Sequence, residues 1–306
     1  MNSKSKIYLA GSTGLVGSAV LKELIKQNYT NIYHPRIDLT NSKETEQFFK
    51  EVTPEYVFLC AAKVGGILAN RNNPVEFLET NLAIQNNTIK YAHMYGVKKL
   101  LFLGSSCIFP GNINRPIVES DLLSGPLEQT NSAYAIAKIA GIELLKAYKH
   151  QYGFNSVCLM PPNMYGIGDN FDSVNAHVLP ALLRKFHFAK KNNQPEVICW
   201  GTGTPRREFL FSEDLAKACI HFMNLDINEV INTGYGEDIS IKDLANLIAD
   251  IVGYKGNIIW DTSKPDGTMR KLLDSSKANY LRWKAETSLT DGIKKTYEWY
   301  CSELKD

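Results

Sequence analysis

The sequence predicts an α/β fold: a doubly wound parallel sheet followed by a smaller α/β C-terminal substrate-binding region. Three observations predict it. Apolar β-type runs alternate with helical patterns through the first half, the runs are continuously apolar, and the first of them enters a glycine loop that opens a helix. Strands of unbroken Val, Ile and Leu are buried on both faces, which requires helices on both sides of a parallel sheet.

Taken in order, residues 6–10 read as the first strand and 15–27 as a helix with apolar residues at helical spacing. Residues 31–34 form a second, short strand and 56–61 a third. Residues 77–95 read as a long helix, 99–104 as a strand, 132–152 as another long helix and 156–160 as a strand. The rhythm changes after about Pro162. Helices near 176–190, 213–224, 241–252 and 289–300 then alternate with short strands and Gly/Pro-rich loops at 201–205 and 264–268. The expected division is a nucleotide-binding part at 1–162 and a mainly substrate-binding part at 163–306, with some later segments returning to the first sheet.

Composition excludes several classes. The chain has 306 residues, 44% hydrophobic and 22% charged, with a formal net charge of +2. So small a bias, without any Lys/Arg block, does not suit a nucleic-acid partner. No run reaches the roughly 18 apolar residues that a membrane span needs. Met1 to Lys6 is polar and runs on into patterned sequence, so no signal peptide is read there. The six cysteines (Cys60, Cys107, Cys158, Cys199, Cys219, Cys301) are scattered singly, without zinc or redox spacing. These observations predict a cytoplasmic chain with free thiols and no metal.

Gly11-Ser12-Thr13-Gly14-Leu15-Val16-Gly17 follows a strand and opens a helix, with GxxGxxG spacing. The first glycine permits a tight turn, the second lets backbone approach a pyrophosphate, and the third allows close helix–sheet packing. The helix N-terminus supplies free N–H groups and a positive dipole. The loop therefore predicts a dinucleotide cofactor on a Rossmann-type fold. Arg36, past the second strand, suits the 2′-phosphate of NADP, although it could also be a solvated loop charge; Asp38 lies beyond the ribose position.

Tyr134 and Lys138 stand four residues apart within a helix, so phenol and ammonium share one face. Ser105 and Ser106 follow a strand at the carboxyl end, where this fold places ligands. A carbonyl taking hydride gathers negative charge on oxygen and needs a positioned proton donor. The serine hydroxyl polarises that carbonyl, the tyrosine donates, and the ammonium is expected to lower the phenol pKa and hold the nicotinamide ribose.

With these pieces the chain resembles the extended short-chain dehydrogenase/reductases. More narrowly it is similar to the GDP-L-fucose synthase family, which are 3,5-epimerase/4-reductases acting on GDP-4-keto-6-deoxy-D-mannose. The strings that carry this are Ala61-Ala62-Lys63-Val64-Gly65-Gly66-Ile67, Leu101-Phe102-Leu103-Gly104-Ser105-Ser106-Cys107-Ile108 and Tyr134-Ala135-Ile136-Ala137-Lys138-Ile139-Ala140-Gly141. His177-Val178-Leu179-Pro180-Ala181-Leu182-Leu183-Arg184, Trp200-Gly201-Thr202-Gly203-Thr204-Pro205, Arg207-Glu208-Phe209-Leu210 and Lys264-Pro265-Asp266-Gly267-Thr268 complete them.

The resemblance implies a reductase triad of Ser105, Tyr134 and Lys138, and an acid/base pair of Cys107 and His177 for epimerisation. It implies NADP contacts from residues 11–17, Arg36, Ala69, Leu103, Gly104, Lys138, Pro161, Pro162, Asn163, Met164 and His177. It places Ser106, Asn163, Lys185, Trp200, Arg207 and Asp266 on the GDP-sugar, and implies a homodimer through the two long helices. A thiolate and an imidazole titrate nearest neutrality, which suits proton exchange at carbons beside a ketone.

Simpler readings stand beside these. Cys107 alone reads as a core thiol, His177 as a helix-capping or surface histidine, Trp200 as packing, and Arg207 as a surface partner of Glu208 or Asp214. Two departures from the family pattern, Thr13 in place of a basic residue and Lys185 in place of an arginine, leave open a GDP-4-keto-6-deoxy-heptose substrate or a C4 reductase alone. Lysine keeps the charge but loses the bidentate fork. Other rivals are a 4-epimerase without net NADPH consumption, a 4,6-dehydratase, which would carry an Asp-Glu pair where Ser106-Cys107 stands, and a binding protein with a retired site.

Overall fold

The computed structural model describes residues 1–172, 176–264 and 266–303; Pro265 of the 264–268 loop lies outside the described residues. The first half runs β1 (Ile7–Ala10), α1 (Leu15–Lys26), β2 (Ile32–Tyr33), α2 (Ser42–Val52), β3 (Tyr56–Leu59), α3 (Ile67–Asn72), α4 (Pro74–Met94), β4 (Lys99–Leu103), α5 (Ser132–Tyr152) and β5 (Ser156–Met160). The second half runs β6 (Asn163–Tyr165), α6 (Val178–Lys191), β7 (Glu196–Trp200), β8 (Arg206–Phe211), α7 (Ser212–Asn224), β9 (Val230–Asn232) and β10 (Asp238–Ser240). It ends with α8 (Ile241–Val252), β11 (Asn257–Asp261), β12 (Arg270–Lys271), α9 (Ser276–Tyr280) and α10 (Leu289–Glu303).

Six strands form one parallel sheet in the order β2-β1-β3-β4-β5-β9. Strand alternation sends side chains to two cores. Tyr8, Val57, Leu100 and Phe102 face a core closed by α2, α4 and α5. Leu9, Phe58, Leu101 and Leu103 face another closed by α1 and α7. Helices on both faces explain why the strands are apolar throughout. The chain leaves β1 for β2 on one side and returns to β3 on the other, so the sheet reverses direction there. Ligands bind at such a reversal, beyond the carboxyl ends of the strands.

Helix α2, unforeseen in the sequence, starts where the Asn41 side chain accepts from Lys43 N at 3.1 Å and Glu44 N at 3.3 Å. Its buried face is only Thr45, Phe48 and Phe49, too brief a stripe to stand out by periodicity. Helix α4 begins three residues earlier than expected, with Pro74 in its first turn, where a missing N–H costs nothing.

In the second half β8 is central. It pairs antiparallel with β10 and parallel with β12 and β6. A third core joins α6, α8 and α10 to these strands and to the two-stranded β7–β11 sheet. Strand β9 and helix α7, although late in the chain, belong to the first sheet and its covering layer.

Candidate active site

The glycine loop has the shape its spacing implies. Gly11 has φ +85°, and a Cβ on it would stand 2.6 Å from Ala61 N, so only glycine fits beside β3. A Cβ on Gly17 would strike the Gly11 carbonyl, so α1 can lie against the loop only without one. At Gly14 a Cβ would meet only Gly11 O at 3.6 Å; that glycine is not required by packing and faces open space. It is also the N-cap of α1, with no side-chain cap, which leaves the first N–H groups of the helix to a ligand. A cradle free of side chains ending on uncapped amides fits a pyrophosphate. Thr13 and Arg36 are exposed beside it, and Ser12 Oγ donates to His34 O at 3.4 Å, joining the loop to the end of β2.

At the end of β4 the chain passes through Gly104 and Ser105 into a short 3-10 turn, Ser106–Ile108. Ser105 Oγ caps that turn by accepting from Cys107 N at 3.2 Å, and its hydroxyl lies within electrostatic reach of the Tyr134 phenol. Phe77 meets the tyrosine ring edge-on at 6.5 Å. Lys138, one helical turn on, is 4% exposed and donates to Leu103 O at 2.8 Å. Its ammonium stands 4.8 Å from the Phe102 ring centre and 5.8 Å from that of Tyr134. Three predicted side chains thus meet at one strand end.

One expectation is corrected. Tyr134 is not a phenol of lowered pKa: burial pushes it up, the nearby Cys107 adds to this, and only the neighbouring Ser105 hydroxyl opposes. The Lys138 ammonium is directed at a backbone carbonyl, and burial lowers its own pKa to about 8 while Cys60 pulls it back up. At neutral pH the tyrosine is a protonated donor.

Cys107 lies within electrostatic reach of both Tyr134 and Arg207. His177 occupies the N-cap position of α6 but makes no side-chain cap bond, so the capping role does not hold. Its edge is exposed, yet the surrounding protein desolvates the imidazole and lowers its pKa. Among the described residues no hydrogen bond joins its ring to Cys107, Ser105 or Tyr134. The structure thus assembles Ser105, Cys107, Tyr134 and Lys138 directly, and does not link His177 to them by a bond.

Residues 161–164 lie alongside, since Ser106 N donates to Pro161 O at 2.9 Å. Pro161, Pro162 and Ser106 are buried, whereas Asn163, Met164 and Ala69 are half-buried. Asn163 Nδ2 donates to Glu208 O at 3.0 Å. Arg207 is half-buried on β8; burial lowers its pKa against the pull of Cys107, Glu128 and Asp266. The Arg207–Glu208 pairing does not form, because neighbours on a strand point to opposite faces.

Asp266 accepts from Thr202 N at 2.9 Å and from Thr202 Oγ1 at 2.7 Å, clamping the loop after Trp200. Trp200 is 58% exposed, with Lys264 Nζ 5.9 Å from its ring centre, so it is not a core residue. Lys185 Nζ donates to Ile198 O at 2.7 Å on the same strand, β7.

Two neighbours escaped the sequence reading. Lys271 is paired in register with Arg207, shares its strand face and is 9% exposed. Glu128 hydrogen-bonds Thr130 and lies within electrostatic reach of Arg207. The available signal for Lys271 was a lysine in a short strand just after the 264–268 motif.

Comparison with known proteins agrees with this geometry. Residues 7–234 match the NAD dependent epimerase/dehydratase family. GDP-L-fucose synthase 1 of Arabidopsis thaliana is 51% identical over 99% of this chain and 96% of its own length. GDP-L-fucose synthase of Escherichia coli strain K12 is 46% identical, with 97% of each chain covered. Among solved structures, a GDP-mannoheptose C4 reductase from Campylobacter jejuni with NADP bound has a TM-score of 0.90 at 40% identity, covering 98% of this chain and 99% of that one. The chain belongs to the NAD dependent epimerase/dehydratase family, and within it is similar to GDP-L-fucose synthases along nearly its whole length.

Proposed function

We propose that this protein converts GDP-4-keto-6-deoxy-D-mannose to GDP-L-fucose by epimerising carbons 3 and 5 and reducing the 4-keto group with NADPH. The observation that carries the reading is the meeting of Ser105, Cys107 and Tyr134 beside Lys138 at the end of β4. Relatives named GDP-L-fucose synthase and a reductase structure with NADP bound support it.

Residues 11–17 and Arg36 would hold NADPH, which when bound would supply the hydride. Cys107 and His177 exchange protons with carbons 3 and 5 on opposite faces; each proton removed leaves an enolate whose oxygen Ser105 and Tyr134 stabilise. Lowered by desolvation, His177 is neutral near pH 7 and can accept a proton. In the reduction, hydride reaches carbon 4 while the Tyr134 proton passes to its oxygen. Arg207, with Lys271 on the same strand face, offsets the diphosphate charge; Trp200 lies open to the base or sugar. Residues 1–162 serve chiefly the cofactor and 163–306 chiefly the sugar nucleotide.

Incubation with the ketosugar and NADPH, followed at 340 nm and by NMR of the product, tests the reading. Net NADPH oxidation with formation of GDP-L-fucose is expected; GDP-6-deoxy-D-talose or GDP-D-rhamnose, the two C4 products of reduction without epimerisation, would overturn it. A second reading, a GDP-4-keto-6-deoxy-heptose reductase, is favoured by Lys185, whose ammonium is turned onto Ile198 O, and by the heptose enzyme above. The same assay with that heptose separates the two.

The ammonium of Lys138 is needed charged, and its pKa of about 8 places its loss just above neutrality. It is protonated below that pH, so kcat/KM is expected to fall as pH rises through about 8. A rate profile flat to about pH 9.5 would contradict this.

We also infer a homodimer, since Met94 on α4 and Ile136 on α5 stand exposed on the neighbouring long helices, and a cytoplasmic location, since the cysteines are unpaired. Sedimentation and cell fractionation check the two statements separately.

A further inference from the structure

Glu208 has no role in the chemistry above, yet its side chain is among the most enclosed charged groups in the protein, 1% exposed. Among the described residues no cation meets it. Oε1 accepts from Gly236 N at 2.7 Å and Oε2 from Leu273 N at 2.9 Å. Gly234 has no room for a side chain, because a Cβ there would strike Oε1; its N–H instead donates to Ser275 Oγ at 2.9 Å. The Glu208 carbonyl accepts from Asn163 Nδ2. One residue therefore gathers four segments: β6 beside the 161–164 stretch, β8 itself, the chain leaving β9 and the chain leaving β12.

A buried carboxylate satisfied only by amides is a costly way to gain stability. Burial pushes this carboxyl up to about 7, against the backbone amides that favour its charged form. The arrangement instead fixes registers. Leu273 lies two residues beyond Lys271, and Lys271 stands opposite Arg207, whose side chain projects from the other face of β8.

We propose that Glu208 is a positioning residue that holds Arg207 and Lys271 in register with each other and with the 161–164 segment beside the cofactor, so that sugar-nucleotide affinity depends on it and cofactor affinity does not. The inference rests on the reading of the cleft as a GDP-sugar site. It acts through backbone, since Glu208 itself lies on the far side of the strand from Arg207.

The test uses Glu208→Gln in the full chain, whose amide NH₂ would confront N–H donors and leave at least one unpaired. Calorimetry with GDP-mannose, an inert substrate-shaped probe, and separately with NADPH reads the two affinities. The expected result is a GDP-mannose Kd raised about tenfold or more with the NADPH Kd within about twofold. A GDP-mannose Kd within about twofold of the unsubstituted chain overturns the proposal, and so does equal weakening of both ligands. If Glu208→Gln does not fold, Glu208→Asp, which keeps the charge but is one methylene too short to reach both Gly236 N and Leu273 N, is expected to weaken GDP-mannose about threefold and leave NADPH alone. No change in that variant would equally overturn the proposal. Failure of the unsubstituted chain to bind GDP-mannose while binding NADPH is different: it removes the GDP-sugar reading, and this inference with it.

Discussion

Tyr134→Phe is expected to lower the rate of ketone reduction about 1000-fold while NADPH binding stays within about twofold. The phenol lies beside Ser105 at the strand end, and burial keeps it protonated at neutral pH. Phenylalanine keeps the edge-on contact with Phe77, so the helix and its Lys138 stay in place. Single-turnover absorbance at 340 nm measures the step. A reduction rate within about tenfold of the unsubstituted protein would show that another group delivers the proton.

Cys107→Ser is expected to abolish exchange of solvent deuterium into carbons 3 and 5, with a loss of about 100-fold or more. Serine fits the site and leaves the Cys107 N–H bond to Ser105 intact. Its hydroxyl, however, is far too weak an acid to give or take a carbon-bound proton at neutral pH, whereas a thiol can. Reduction of the unepimerised ketosugar should survive in part, since Tyr134, Ser105 and Lys138 are untouched. NMR of the recovered sugar in deuterated water separates the two activities. Wild-type exchange would assign the proton transfer to a different residue, and simultaneous loss of reduction would mean that the thiol supports the whole site.

Much of this arrangement was legible in the chain. The 132–152 helix and the 156–160 strand occur at their predicted bounds, because long apolar patterns ended by Gly153 in a left-handed turn leave little choice. The glycine loop was legible for the same reason: Gly11 and Gly17 are demanded by local collisions. Less local features were not. The strand expected at 56–61 stops at Leu59, since Cys60 and Ala61 turn beneath Gly11. The clamp of Thr202 by the Asp266 carboxylate, across 64 residues of chain, carries no local signal. Lys271 and Glu128 carry no motif, and their nearness to Arg207 arises from strand pairing and loop placement.

By itself the sequence determined the parallel sheet, the glycine loop and the helical face that carries Tyr134 and Lys138, because each depends on contacts within a few residues or on periodicity. Only the tertiary structure decided which charges are buried, that the phenol of Tyr134 is held protonated, and that Glu208 ties β8 to two distant loops. Those outcomes depend on desolvation and on partners brought together by sheet topology, and neither quantity is written in residue order.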